Sequence, residues 1–168
     1  PVPGKGWSSP IILKGKLYLT TAVPKPGGGP DDQSLRTLCL DIKTGKTLWN
    51  REIFERNHVP TTGLLHGKNS HASPTPASDG QFLYVHFGTE GTACLELDTG
   101  KIVWTNHALK YIPRHGNGGS PALVDGMLVA SAPAAGPQGD DCQAPGGVTA
   151  DVDTLLVYDR RATIRLAV

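Results

Sequence analysis

The chain has 168 residues, including 21 Gly and 14 Pro, and its 16 basic side chains nearly balance 15 acidic ones. This length predicts about one domain, and the content of turn-forming residues stays below that of low-complexity chains. No apolar run is long enough for a membrane span and no block of like charge forms a basic or acidic arm, so we expect neither membrane insertion nor nucleic-acid binding.

The start of the chain and its cysteines give little information about compartment or redox chemistry. The sequence begins without Met and no signal peptide is visible, which is typical of an excerpt or a processed product. The three cysteines, Cys39, Cys94 and Cys142, form no CxxC pair, and their odd number does not support a disulfide framework. We expect Cys39 and Cys94 to be small buried residues in strands.

Short motifs recur along the chain and divide it into similar units. Each unit opens with a Ser-Pro pair, which ends at Pro10, Pro74 and Pro121. A Gly-containing turn and a short apolar strand follow each pair. Residues 38–49 then recur as residues 93–104, a separation of 55 (93 − 38), with Cys, an acidic residue, Thr-Gly-Lys and Trp in register.

The physics of one unit predicts four antiparallel strands. Ser-Pro suits the first residue of a strand, because proline lacks an N–H group. A Lys-Gly or Asp-Gly pair forms a tight hairpin, the Cys-containing segment forms the third strand, and Thr-Gly forms the next turn. The fourth strand is predicted to end in Trp49 or Trp104. One such sheet cannot bury both faces, so the prediction is an all-β partial β-propeller of about two and a half to three blades.

Two segments are predicted as loops because they lack strand periodicity. They are residues 23–36, which are rich in Gly and Pro, and residues 50–69. The first lacks the Gly-Lys-Ser/Thr ending of a P-loop, so no phosphate-binding role is predicted. Its Asp31-Asp32 pair is interpreted as two solvated turn residues.

The order of acidic residue, Thr-Gly-Lys, aliphatic pair and Trp in residues 41–49 and 96–104 resembles the PQQ-type (pyrroloquinoline quinone-like) propeller repeat of bacterial PQQ-binding-like proteins. The resemblance covers about residues 4–131. It implies a β-propeller of the periplasm or cell envelope. It also implies that Trp49 and Trp104 are structural docking residues between blades.

The resemblance places blades at about residues 7–50 and 71–105 and the start of a third at about 118–131. Residues 132–168 depart from the pattern, because no third Thr-Gly-Lys or Trp follows. Two explanations remain open: a shifted frame or chimeric end, and a divergent blade with a long insert. Because closed propellers have ~4–8 blades, we expect a piece of a larger ring, with the remaining blades among its partners.

The polar residues before each Ser-Pro pair are the best functional candidates. The innermost strand of each blade lines the axial channel, so these residues are expected to face a shared funnel. Aromatic, imidazole, amide and cationic groups suit hydrogen bonding to an anionic or polyhydroxylated ligand. In the alternative interpretation, the Asn and His side chains cap turns and tie blade to blade. The candidate ligand-binding residues are Trp7, Lys68, Asn69, His71, His115 and Asn117.

The remaining histidines carry no clear signal of chemistry. His66, His71 and His115 have no fixed spacing and no adjacent carboxylate, so no metal site is predicted. His86 lies between apolar strand residues and is predicted to be half-buried in the sheet, whereas His107 is predicted to face solvent.

Two functions remain. The first is a non-catalytic binding or scaffold module of the bacterial cell envelope that holds a small polar ligand or a protein partner at the funnel. The alternative, implied by the resemblance, is a fragment of a PQQ- and calcium-dependent quinoprotein dehydrogenase oxidising alcohols or sugars. That class needs two adjacent cysteines, a tryptophan floor, calcium ligands and an Asp base, and the chain has no adjacent cysteines. We therefore favour the binding module and assign no catalytic residue, leaving PQQ and calcium as options for the parent protein.

Overall fold

The structure is a computed structural model and describes residues 1–29, 31–57, 65, 67–107, 116–132, 154–158 and 164–167. Within these ranges the chain forms twelve strands and one short 3₁₀ turn. The strands form three four-stranded antiparallel sheets in meander order, which confirms the predicted all-β fold of propeller blades. In the described part of the chain, no helix has the length and apolarity needed to cross a membrane.

The strands follow the repeats along the chain. The first sheet consists of β1 (Ile11–Leu13), β2 (Lys16–Pro24), β3 (Gln33–Asp41) and β4 (Thr47–Arg56). The second consists of β5 (Ala77–Ser78), β6 (Phe82–His86), β7 (Thr92–Glu96) and β8 (Ile102–Asn106), with the 3₁₀ turn at Gly88–Glu90 between β6 and β7. The third consists of β9 (Ala122–Val124), β10 (Met127–Ala132), β11 (Thr154–Tyr158) and β12 (Ile164–Ala167).

The first hairpins of the first and third sheets have the tight turns that the sequence predicts. Lys14 and Gly15 have φ values of 51° and 74°, and Asp125 and Gly126 have values of 49° and 76°. Two consecutive positive φ values define the type I′ turn, whose twist matches that of the strands. In the second sheet the turn is one residue longer, and the Asp79 carboxylate accepts hydrogen bonds from two following N–H groups.

A row of three side chains repeats across the first two sheets. Tyr18 of β2 is paired with Cys39 of β3, which is paired with Trp49 of β4. The Tyr18 and Trp49 ring centroids lie 5.9 Å apart, and a register shift follows the Cys. The second sheet repeats both the register and the shift with Tyr84, Cys94 and Trp104.

The third sheet keeps the pairing but not the residues of this row. The positions equivalent by register are Val129 of β10, Val157 of β11 and Arg165 of β12. The pairing of β11 and β12 onto β10 supplies a complete four-stranded meander. On this basis we propose that β11 and β12 complete a divergent third blade rather than belong to a chimeric end.

The two central strands of the middle sheet, β6 and β7, are buried on both faces. Leu83 and Val85 of β6 belong to the core cluster shared with the first sheet, whereas Tyr84 belongs to the cluster shared with the third. Successive side chains of a strand point to opposite faces, so a strand between two sheets reads as a continuous apolar run. Cys39 and Cys94 are buried free thiols in strands, as predicted. Burial raises the pKa of Cys94 to about 12.

Both predicted loops contain strand residues at their ends, which corrects that part of the sequence interpretation. β4 does not end at Trp49 but runs on to Arg56, and β2 and β3 extend well into residues 23–36. A register shift leaves Ile53 as an extra residue in β4, so Ile53 and Phe54 are both buried. This bulge removes the alternation by which a strand is recognised in a sequence.

His86 is more buried than predicted. It is 1% exposed, and its Nδ1 lies 2.9 Å from the Thr92 hydroxyl on the neighbouring strand. Burial lowers the pKa of His86 to about 4, so the ring is neutral at pH 7. His107 is exposed, as predicted, and its ring packs edge-on against Phe54.

Candidate functional site

The three Ser-Pro elements are joined in series by hydrogen bonds. The Ser9 N–H donates to the Thr75 hydroxyl at 3.0 Å, and the Thr75 N–H donates to the Ser120 hydroxyl at 2.9 Å. The Trp7 N–H donates to the Ala72 carbonyl at 3.1 Å. These bonds fix the backbone at the entrance to each blade, and with it the residues that precede the Ser-Pro pairs.

A cleft of about 690 Å³ opens between the N-terminal arm (residues 1–8), the far end of the β2–β3 hairpin and the segment before β5. The arm is fixed by an antiparallel bridge between Lys5 and Ala22, with N···O distances of 2.9 and 2.8 Å. Glycine permits this close approach, because a Cβ on Gly4 would lie 2.3 Å from the Ala22 carbonyl oxygen. The volume is within the ~300–1,000 Å³ typical of small-ligand sites.

A histidine and a carboxylate face each other across the cleft. His71 Nε2 lies 3.7 Å from Asp31 Oδ1, and both residues line the cleft. Burial lowers the pKa of His71, and the positive charge of Arg56 lowers it further against the opposing effect of Asp31. The Arg56 guanidinium forms an ion pair with Glu90 of the second sheet. His71 is therefore predominantly neutral at pH 7. Among the described lining residues, Lys5 carries the positive charge that balances the negative charge of Asp31.

The structure brings three of the predicted candidates together in this cleft: Trp7, Asn69 and His71. The Trp7 side chain is 63% exposed. The Asn69 side-chain oxygen accepts hydrogen bonds from the Ser70 N–H, at 2.9 Å, and from the Ser73 hydroxyl. Asn69 thus performs the turn-capping role described by the alternative interpretation, whereas Trp7 presents its side chain to solvent.

The other candidates lie elsewhere. Lys68 is not among the residues that line the cleft. Asn117 lies against Gly88, and its Nδ2 donates to the Phe87 carbonyl at 3.4 Å. His115 is outside the described residues.

Among the lining residues that were not candidates from the sequence, Asp31 and Gln33 bring polar groups from the β2–β3 hairpin. Asp31, interpreted as a solvated turn residue, faces His71, and Gln33 at the start of β3 lines the cleft while only 7% exposed. Neither belongs to a repeated motif, and a contact across forty positions (71 − 31) leaves no local spacing signal. The repeat alignment does mark Lys5, which stands two positions before Trp7.

Trp49 connects the first blade to the second. Its indole lies on Gly100, where a Cβ would come 2.7 Å from indole atoms Cδ2 and Cε3. Lys16 Nζ forms an ion pair with Asp98 Oδ1 at 2.7 Å, and Arg51 donates to the neighbouring Thr-Gly turn. On these contacts we propose that Trp49 docks the first blade against the second.

The described residues do not fit a calcium–quinone site. Within the described ranges, no three His, Cys, Asp or Glu side chains come together in a way that could hold a metal ion. Cys39 and Cys94 lie in strands of two different sheets. We therefore assign no chemical step to PQQ or calcium in this part of the protein.

Sheet order, turn chemistry and stacked cores define the class of protein as a β-propeller built from PQQ-type repeats. A family model, PQQ_2, described as outer membrane protein assembly factor BamB, matches residues 36–159. The match spans most of the chain, which therefore belongs to this family. Among curated protein sequences, none matches the chain.

Similar solved structures are much longer proteins. A europium-containing methanol dehydrogenase has a TM-score of 0.55 at 11% identity over 98% of this chain and 25% of its own. The quinohemoprotein alcohol dehydrogenase of Comamonas testosteroni has a TM-score of 0.56 at 12% identity over 99% and 22%. Quinohemoprotein alcohol dehydrogenase ADHIIG of Pseudomonas putida HK5 has a TM-score of 0.54 at 16% identity over 95% and 19%. The chain spans a quarter or less of these enzymes, and the likeness shows the fold.

Proposed function

We propose that the chain is part of a non-catalytic binding or scaffold module of the bacterial cell envelope, which holds a small polar ligand or a protein partner at the cleft. The observation that carries this proposal is the cleft itself. Lys5, Trp7, Asp31 and His71 converge there from three separated stretches of chain. Pockets with a few convergent polar groups and an aromatic wall are typical of ligand sites.

The family supports a binding role and an envelope location. Its description names an assembly factor for outer membrane proteins, which is a function of contact rather than of turnover. The remaining blades of a longer chain are proposed as further partners, because the similar enzymes are at least four times as long as the matched part. PQQ and calcium are assigned to no described residue.

The test uses the intact protein expressed in a bacterial envelope with a photoreactive phenylalanine analogue at Trp7. The control carries the same analogue at Ile12, which is 61% exposed in β1 and is not a cleft residue. We expect a discrete adduct, identified by mass spectrometry, at Trp7 and not at Ile12. His71→Ala should reduce that adduct, because the substitution changes the wall of the cleft.

A parallel assay addresses catalysis. The intact protein is supplied with PQQ and calcium, and dye reduction is followed with alcohols and sugars as electron donors. Turnover that depends on added PQQ would overturn the non-catalytic proposal. Equal cross-linking at Trp7 and Ile12 would overturn the assignment of the cleft as the binding site.

A further inference from the structure

We propose that the cleft takes a neutral carbohydrate, with the exposed indole of Trp7 as the surface on which a sugar ring stacks. This inference rests on the proposed function, because it specifies the ligand of the same cleft. Its three supports are the presentation of Trp7, the balance of charge among the lining residues, and the size of the space.

The side chain of Trp7 is far more exposed to solvent than those of the other two tryptophans. Trp49 is 7% exposed and lies on Gly100, and Trp104 packs in the core between the second and third sheets. The Trp7 side chain is 63% exposed, although its backbone is fixed by the hydrogen bond to Ala72. An indole on an anchored backbone offers a flat apolar face and an N–H donor, and little conformational entropy is lost when a ligand binds to it. A sugar ring matches it with an apolar C–H face and a polar edge.

The charges at the cleft favour a neutral ligand. Lys5 and Asp31 oppose each other, and the neutral ring of His71 adds no net charge. An anion bound here would meet the Asp31 carboxylate, and a cation would meet the Lys5 ammonium. A hydroxyl group both donates and accepts, so neighbouring hydroxyls can use both partners.

The size and composition of the cleft fit the same class of ligand. About 690 Å³ is enough for a small ligand rather than an ion. Gln33 adds an almost buried amide, and Pro24 and Leu65 add apolar surface. A ligand with both apolar patches and many hydroxyl groups uses all of these surfaces.

Calorimetric titration of the intact protein tests the inference. The probes are glucose, maltose, cellobiose and N-acetylglucosamine, with glucuronate, succinate and spermidine as charged comparators. We expect saturable binding of at least one neutral sugar, tighter than any charged comparator and insensitive to salt. Trp7→Leu should raise the Kd of that sugar at least about tenfold. Ile12→Ala should leave it unchanged, and both variants should keep the thermal midpoint of the parent.

The outcomes separate this inference from the function on which it rests. If no neutral sugar binds, or a charged comparator binds more tightly, the carbohydrate assignment is overturned, while a specific Trp7 cross-link would still support the binding module. If Trp7→Leu binds sugar as well as the parent does, the stacking role is overturned. If a sugar binds and is also oxidised with added PQQ and calcium, sugar recognition stands and the non-catalytic function is overturned.

Discussion

Replacement of Gly100 by Ala tests whether the contact with Trp49 holds the first two blades together. Gly100 has a φ of +68°, and an added Cβ would lie 2.7 Å from two atoms of the Trp49 indole. Gly45 occupies the same turn in the first blade, also at φ +68°, and nothing lies within 4 Å of the position of its Cβ. Gly45→Ala is therefore a matched control with the same backbone change and no neighbour.

The expected losses follow from two separate costs. A left-handed conformation costs a residue with a Cβ roughly 1–2 kcal/mol, so Gly45→Ala should lower the free energy of unfolding by about that amount. Gly100→Ala pays this cost and also overlaps the Trp49 ring, and overpacking typically costs about 1–3 kcal/mol. Because Trp49 is 7% exposed, the ring has little room to move away. We expect a total loss of about 2–5 kcal/mol.

Urea unfolding of the intact protein measures both losses. In a Trp49→Leu background, the excess cost of Gly100→Ala over Gly45→Ala should shrink, because the overlapping ring is gone. If Gly100→Ala and Gly45→Ala cost the same within about 0.5 kcal/mol, independent of Trp49, the interblade argument is refuted.

Three further changes test other features. His86 should make the protein less stable in acid: the unfolded chain binds a proton below its ordinary pKa of 6.5, but burial lowers the folded pKa to about 4. Stability should fall by about 3 kcal/mol as pH drops from 6.5 to 4, and His86→Gln should flatten that part of the urea-midpoint profile. Asp41→Ala removes the acceptor of three hydrogen bonds in the turn after β3, so the thermal midpoint should fall, and less so for Asp41→Asn. Trp49→Leu should cost several kcal/mol, unlike the same change at exposed Trp7, with equal losses contradicting the assigned burial.

The fold could be predicted because its turns are local. Lys14-Gly15 and Asp125-Gly126 specify their hairpins through residues adjacent in sequence, and the repeated Thr-Gly turns fix the third and fourth strands. The extents of β2 and β4 could not be predicted in the same way. The end of β4, for example, buries Arg56, whose guanidinium forms an ion pair with Glu90 of the second blade. From the sequence alone, a polar residue whose partner is distant along the chain is interpreted as part of a loop.

The cleft could be predicted only in part. Trp7, Asn69 and His71 were found because a repeated Ser-Pro pair follows each of them. Asp31 comes from an insert present in one repeat, so no alignment of repeats could place it beside His71. The repeats therefore indicate where a site lies, while the insert that completes it is visible only in three dimensions.

Trp49 and Gly100, the residue against which its indole packs, are synthesised at different times during translation. The ribosome adds Gly100 51 residues after Trp49 (100 − 49). At roughly 5–20 residues per second, the nascent first blade spends about 3–10 s with this ring uncovered. Each new blade is thus completed by the one translated after it. A pause between two repeats would prolong the exposure of an aromatic surface to aggregation, so codon choice around residues 50–100 would act on yield without changing any native contact.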